Sequence, residues 1–139
     1  MSEKRAMAIL RDYHDAWERG DADAGCSYFD EALVVHMGGS HPILSGDYHG
    51  GAAFVQGWVN RVADFTDQWI VGGEVGEAEV LAESDDTVVL MVHELWIRGE
   101  SKIKTDRIAV YRFRDQKIVE CWFNDMRQAE VDKFFEDLV

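Results

Sequence analysis

The sequence predicts a single α+β domain, with helices first and an antiparallel β-meander after them. Two observations carry this expectation. Apolar residues in the first 65 positions recur mostly at helical spacing, whereas beyond Phe65 they alternate or run continuously between short turn segments. No linker, internal repeat or low-complexity tract interrupts the chain, so residues 1–139 are expected to form one domain packed as helices on a sheet.

Residues 3–19 have the pattern of an amphipathic helix, with Ala6, Leu10, Tyr13 and Trp17 on one stripe that Ile9 and Ala16 widen. Gly20 ends it, and Asp21 is placed to cap a second short helix carrying Ala24, Tyr28 and Phe29. A β-rich run follows at 32–37, then a loop at 38–42 holding the only proline, then a turn region at 45–51. A third helix is expected over about 52–63, with Phe54, Val55, Trp58, Val59 and Val62 as its stripe. Two short strands, 68–74 and 79–83, precede three long ones at 87–98, 102–114 and 117–125. Gly99-Glu100 and Asp115-Gln116 are the tight turns between the long strands. A short helix over about 129–137, with Val131, Phe134, Phe135 and Leu138, closes the chain.

Both faces of the 87–98 strand are largely apolar: Val88, Leu90, Val92, Glu94 and Trp96 on one, Val89, Met91, His93, Leu95 and Ile97 on the other. A sheet with one wet face would alternate cleanly. The sheet is therefore expected to be covered twice, by its own helices and by a second subunit, which makes a homodimer through the sheet the expected assembly.

Composition narrows the function classes. Of 139 residues 47% are hydrophobic and 12% aromatic, enough for a core or for the wall of a cavity. The 27 acidic residues outnumber the 14 basic ones, giving a net charge of −13 that disfavours nucleic acid and anionic lipid as partners. The segment Met1-Ser2-Glu3-Lys4-Arg5 leads into no apolar signal run, and no stretch approaches the roughly 20 residues that span a bilayer, so a cytoplasmic location is expected. Cys26 and Cys121 match no Cys-x-x-Cys spacing and are expected to be reduced and buried. His36, His41 and His49 match no metal motif, and neither metal nor cofactor is expected.

The order of motifs resembles a known family. A long helix leads to Glu18-Arg19-Gly20-Asp21, a short helix ends in Phe29, and a strand runs into His36. A Ser-Gly-x-Tyr-x-Gly turn at 45–50 precedes a helix, and the meander ends with Val119-Glu120-Cys121-Trp122. Nearly the whole chain is thus similar to the SnoaL-like branch of the NTF2-like (cystatin-like) superfamily, which includes ketosteroid isomerases and polyketide cyclases. The resemblance implies a curved sheet wrapped around the N-terminal helices as a cone, a small-molecule pocket at its wide end, and frequent dimerisation through the sheet. It does not by itself assign a function.

The resemblance also places the odd-numbered face of the long strands inward, a choice that periodicity leaves open. His93, Arg107, Cys121 and Asp125 would then face a cavity shared with His36, Tyr13 and Trp17, walled by Phe54, Trp58 and Phe123. His36 aligns with the proton-abstracting aspartate of the isomerases and Tyr13 with their oxyanion-donating tyrosine. Their second acid aligns with Ala109, which has no proton to donate. Asp125, just beyond Glu120-Cys121-Trp122, aligns with the acid–base aspartate of the cyclases. An epoxide-hydrolase site would need an inward Asp-Arg-Asp set, of which Arg107 and Asp125 supply two members.

The expected activity is acid–base chemistry on an apolar carbonyl compound, as a cofactor-independent isomerase or cyclase. Asp125, His36 and Tyr13 would be its catalytic groups and Trp17, Phe54, Trp58, His93, Arg107, Cys121 and Phe123 its ligand contacts. The alternative is a non-catalytic module for ligand binding or dimerisation.

Overall fold

The computed structural model describes residues 5–139, so residues 3 and 4 of the expected first helix lie outside the described range. Helix α1 (Ala6–Glu18) buries Ala6, Ile9, Leu10, Tyr13 and Ala16. Gly20 turns out of it at φ 75, and the Asp21 carboxylate accepts from the Ala24 N–H at 3.0 Å to cap α2 (Ala22–Cys26). Strand β1 (Phe29–Met37) starts three residues earlier than the apolar run suggested. The segment expected only to turn contains β2 (Gly46–His49), antiparallel to β1.

The third expected helix is three pieces in one line: α3 (Gly51–Phe54), a π-helical turn (Val55–Val59) and α4 (Asn60–Phe65). A spacing of four residues overshoots an α-helical turn but suits the wider π turn. Phe54, Trp58 and Val62, four apart, are accordingly its buried residues. Strand β3 (Gln68–Val71), a 3₁₀ turn (Gly73–Val75) and β4 (Glu79–Glu83) lead into the meander β5 (Thr87–Arg98), β6 (Ser101–Arg114) and β7 (Lys117–Asp125). Helix α5 (Gln128–Phe134) follows.

The seven strands form one curved, open sheet in the order β2-β1-β7-β6-β5-β3, with β4 beside the first half of β5 and β3 beside the second. The meander is antiparallel, as expected, but β1 runs parallel to β7. The two are separated by helices and five strands, and a connection of that length can return the chain in either direction. The sheet is therefore mixed.

Hairpin register decides which side chains face the helices. Across the two-residue Gly99-Glu100 turn, each β5 residue lies opposite a β6 residue of the other parity: Glu94 opposite Thr105, Val92 opposite Arg107. Directly paired residues point to the same face. Odd positions of β6 are inward, so even positions of β5 must be, and Val88, Leu90, Val92, Glu94 and Trp96 are all buried. This corrects the expected odd-inward face on β5. Between β6 and β7 a bulge at Arg112/Phe113 restores equal parity, and Tyr111 faces Cys121 while Arg107 faces Asp125. The odd face is inward on those two strands, as expected.

Substitutions on neighbouring positions of β5 test this assignment. Leu90→Ala, at 1% exposure, is expected to cost about 2–5 kcal/mol in urea unfolding, and Met91→Ala on the opposite face well under half of that. Equal costs would contradict the register.

Candidate functional site

The inner face of the sheet carries one polar cluster in an otherwise apolar surface. Glu94 from β5, Arg107 from β6 and Asp125 from β7 form a row across three adjacent strands, with Thr105 beside them. Glu94 is fully buried, and the Arg107 and Asp125 side chains are 9% and 7% exposed. Arg107 Nη2 lies 2.6 Å from Glu94 Oε1, and its Nε lies 4.0 Å from Asp125 Oδ1. Trp69 Nε1 donates to Glu94 Oε2 at 2.6 Å, and the Thr105 hydroxyl donates to Asp125 Oδ1 at 3.0 Å.

Aromatic rings surround the guanidinium. Its carbon lies 5.0 Å from the Trp58 ring centre, 5.6 Å from that of Phe123 and 5.7 Å from that of Trp96. Phe54 stacks on Trp58 at 5.8 Å and on Phe123 at 6.2 Å, continuing the wall. The close Glu94–Arg107 contact is an ion pair without the alignment of a hydrogen bond. Among the described residues, Arg107 Nε and Nη2, Glu94 Oε1 and the Trp96 Nε1 donor are buried without hydrogen-bond partners. Burial pushes both the Glu94 and Asp125 carboxyls above their ordinary values, with Arg107 pulling each back. Two carboxylates share one cation here, so the row is net negative when both are ionised.

A cavity of about 20 Å³ opens beside Asp125, room for about one water. Trp58 and Trp96 line it, and the 38–45 loop and α5 cover it. Several bonds fasten that cover. Ser40 N and Oγ donate to Asp132 at 2.9 and 3.2 Å, His41 Nε2 donates to the Phe135 carbonyl at 2.7 Å, and Gln128 Oε1 accepts from Asp125 N at 3.0 Å. Gly39 sits at φ 95, and a Cβ there would come within 2.6 Å of both Asp132 and Gln128. The open hollow expected from the sequence is thus filled by aromatic side chains. A larger open groove of about 230 Å³ lies elsewhere, between α1 and the 113–116 turn.

Asp125, Arg107, Trp58, Phe54 and Phe123 come together in this cluster. Tyr13, Trp17 and Cys121 also face inward but belong to a second, aromatic layer. Tyr13 packs edge-on against Tyr28 and Tyr111, each at 6.2 Å, and against Trp17 at 6.3 Å. Tyr111 is four residues from Arg107 on the same face of β6, about 13 Å along the strand, so this layer lies beside the charged row. Burial raises the Tyr13, Tyr111 and Cys121 groups above their ordinary values and depresses the neighbouring His14 to about 4. This layer is therefore uncharged near neutral pH.

His36 and His93 are on the outer face, which corrects their expected convergence with Asp125. On β1 the buried positions are Leu33, Val35 and Met37, so His36 must point away; on β5 the parity argument turns His93 out. Each ring is clamped between two carboxylates. His36 reaches Asp47 and Glu120, both at 2.7 Å, and stacks on Trp122; His93 reaches Asp106 at 2.6 Å and Glu79 at 3.0 Å. A ring with a carboxylate at each nitrogen can donate to both only as an imidazolium, so these partners favour the protonated form.

Glu94 is the functional candidate that sequence reasoning missed. Two signals were available: a lone carboxylate in the apolar series Val88, Leu90, Val92, Trp96, and the parity reversal imposed by a two-residue hairpin. Glu94 also supplies a second carboxylate to the Arg107–Asp125 pair, which in the sequence had no evident third member. Among the described residues, no group of three or more His, Cys, Asp or Glu side chains is placed to hold a metal ion. No helix there is long and apolar enough to cross a membrane.

The clamps make stability pH-dependent. Hydrogen bonds donated by His36 to Glu120 and by His93 to Asp106 raise both imidazoles above their ordinary value of 6.5. Their contribution is fully present below about pH 6.5 and lost as pH rises through the higher folded-state values. Wild-type stability minus that of His93→Gln, measured by urea unfolding, should therefore shrink from acidic to alkaline pH. A difference that grows with pH would contradict the clamp.

Comparisons with known proteins agree with this architecture. A protein with a cystatin-like fold from Xanthomonas campestris superposes with a TM-score of 0.79 at 21% identity, over 94% of this chain and 98% of the other. An NTF2-like protein from Burkholderia thailandensis gives 0.79 at 17% identity, over 94% and 98%. TerC, co-crystallised with polyporic acid, gives 0.72 at 12% identity, over 95% of each chain. No curated protein matches the sequence. The family model of the SnoaL-like domain matches residues 10–121, and the chain belongs to that family of the NTF2-like superfamily.

Proposed function

We propose that the protein is a cofactor-independent acid–base enzyme acting on a small, largely apolar carbonyl compound, with Asp125 as the proton-transferring group. The observation that carries this reading is the buried Glu94–Arg107–Asp125 row, with Asp125 lining a cavity walled by Trp58 and Trp96. A desolvated carboxylate with a raised pKa suits proton transfer near neutral pH. Asp125 would take a proton from the carbon next to the carbonyl, and the C–H electron pair would pass into the enolate. The charge developing on oxygen would be met by the unpartnered Trp96 N–H and the field of Arg107. These groups replace the Tyr13 and Ala109 positions of the isomerase pattern. Entry requires α5 and the 38–45 loop to part, because the cavity as it stands holds about one water.

A non-catalytic domain is the second reading, favoured by the filled interior. The outer sheet face fits either reading as the surface of a homodimer. Val89, Met91, Leu95, Ile97, Ile108 and Trp122 are half-buried there in a single chain, and the expected location remains cytoplasmic.

Hydrogen–deuterium exchange next to the carbonyl of small cyclic ketones, followed by NMR, tests the enzyme reading. Asp125→Asn should slow catalysed exchange on the order of 100-fold to 10,000-fold, with the fold retained. Equal rates would remove Asp125 from the chemistry, and no catalysed exchange in the wild type would favour the non-catalytic domain. In sedimentation at micromolar concentration the chain should behave as a dimer.

A further inference from the structure

The charges around Asp125 limit what the cavity can accept. Arg107 by itself would be an anion site: it is buried, among the described residues its Nε has no hydrogen-bond partner and its Nη2 meets only Glu94, and a guanidinium fork matches a carboxylate. It does not line the cavity but stands one layer away, against Trp58, Trp96 and Asp125, which do. Glu94 cancels its charge from the far side. Held at one oxygen by Trp69 and touching Nη2 at 2.6 Å with the other, Glu94 also keeps Arg107 Nε 4.0 Å from Asp125. Asp125 and Asp132 line the cavity as carboxylates, with His41 turned to backbone partners; Trp96 lines it too, and its N–H has no hydrogen-bond partner among the described residues. An incoming carboxylate would meet unbalanced negative charge at low dielectric, whereas a neutral oxygen acceptor would meet a donor.

We propose that Glu94 is a specificity-determining residue that restricts the Asp125 cavity to neutral ligands bearing an oxygen acceptor and excludes carboxylates. This rests on Asp125 marking the ligand site. Glu94→Gln removes one negative charge, frees Arg107 and brings the row to neutrality, so the barrier to anions falls.

Acetamide and acetate are nearly isosteric and differ in charge. Their binding can be followed by the fluorescence of the tryptophans around Arg107, in the wild type and in Glu94→Gln. The wild type should bind acetamide more tightly than acetate, and Glu94→Gln should shift the ratio of dissociation constants toward acetate on the order of tenfold. An unchanged ratio overturns the proposal. So does a wild type that fails to discriminate, an outcome readable even if the variant does not fold. In Glu94→Gln with Arg107→Gln, the net charge of the row returns to the wild-type value and acetate should again be excluded; acetate binding there also overturns it. Ketone exchange absent from the wild type together with a shifted ratio would sink the enzyme reading and leave the charge filter standing.

Discussion

Pairing of β5 with β6 across the Gly99-Glu100 turn is the constraint on which the interior depends. Gly99 takes φ 58 at the first turn position, so the hairpin closes in two residues and the ladder runs unbroken from Arg98–Ser101 to Thr87–Arg112. With that register, Glu94 lies beside Thr105, and Arg107 lies within 2.6 Å of Glu94. One residue of slip would turn Glu94 outward and bring His93 in. The bulge at Arg112/Phe113 makes the complementary adjustment on β7, turning Cys121, Phe123 and Asp125 toward the helices.

The same register confines the costly groups to one place. A buried guanidinium with two carboxylates is tolerated because each charge has a partner: Trp69 on Glu94, Thr105 on Asp125, and three aromatic rings around Arg107. What is left over is informative. Among the described residues, all the unpartnered buried side-chain donors except Trp17 Nε1, together with the raised carboxyls, sit in the row and its aromatic wall, and Asp125 opens on the cavity beneath α5 and the 38–45 loop. Packing alone would favour apolar residues there. The aromatic layer around Tyr13 shows what such packing looks like, since its ionisable groups are held neutral by burial.

Outer and inner faces of the sheet solve opposite electrostatic problems. Inside, one arginine serves two carboxylates. Outside, two histidines are each held between two carboxylates, on a chain whose net charge is −13. When protonated, the outer histidines offset local negative charge on a half-buried face, whereas the inner row retains an excess of it when both its carboxyls are ionised.

Composition, periodicity and turn chemistry were sufficient for the α+β class, the order of elements, and the meander with its two tight turns, whereas the placement of Arg107 and Asp125 on one inner face came from the family resemblance. The former are local or near-neighbour properties, decided by residues a few positions apart. The parallel contact of β1 with β7, the short β2 and the filled interior depended on segments distant in the chain. His36 and His93 illustrate the difference. A histidine in an apolar strand suits either face by periodicity, and only the burial of Leu33 and Val35 beside one, and of Val92 and Glu94 beside the other, turned both outward. Glu94 lay between these cases: its parity was implicit in the two-residue turn, but the Arg107 and Trp69 partners that stabilise its burial are brought to it by strands on either side. Tertiary structure decided the site because a buried charge is tolerated only where the folded chain brings its counter-charge and hydrogen-bond partners within contact.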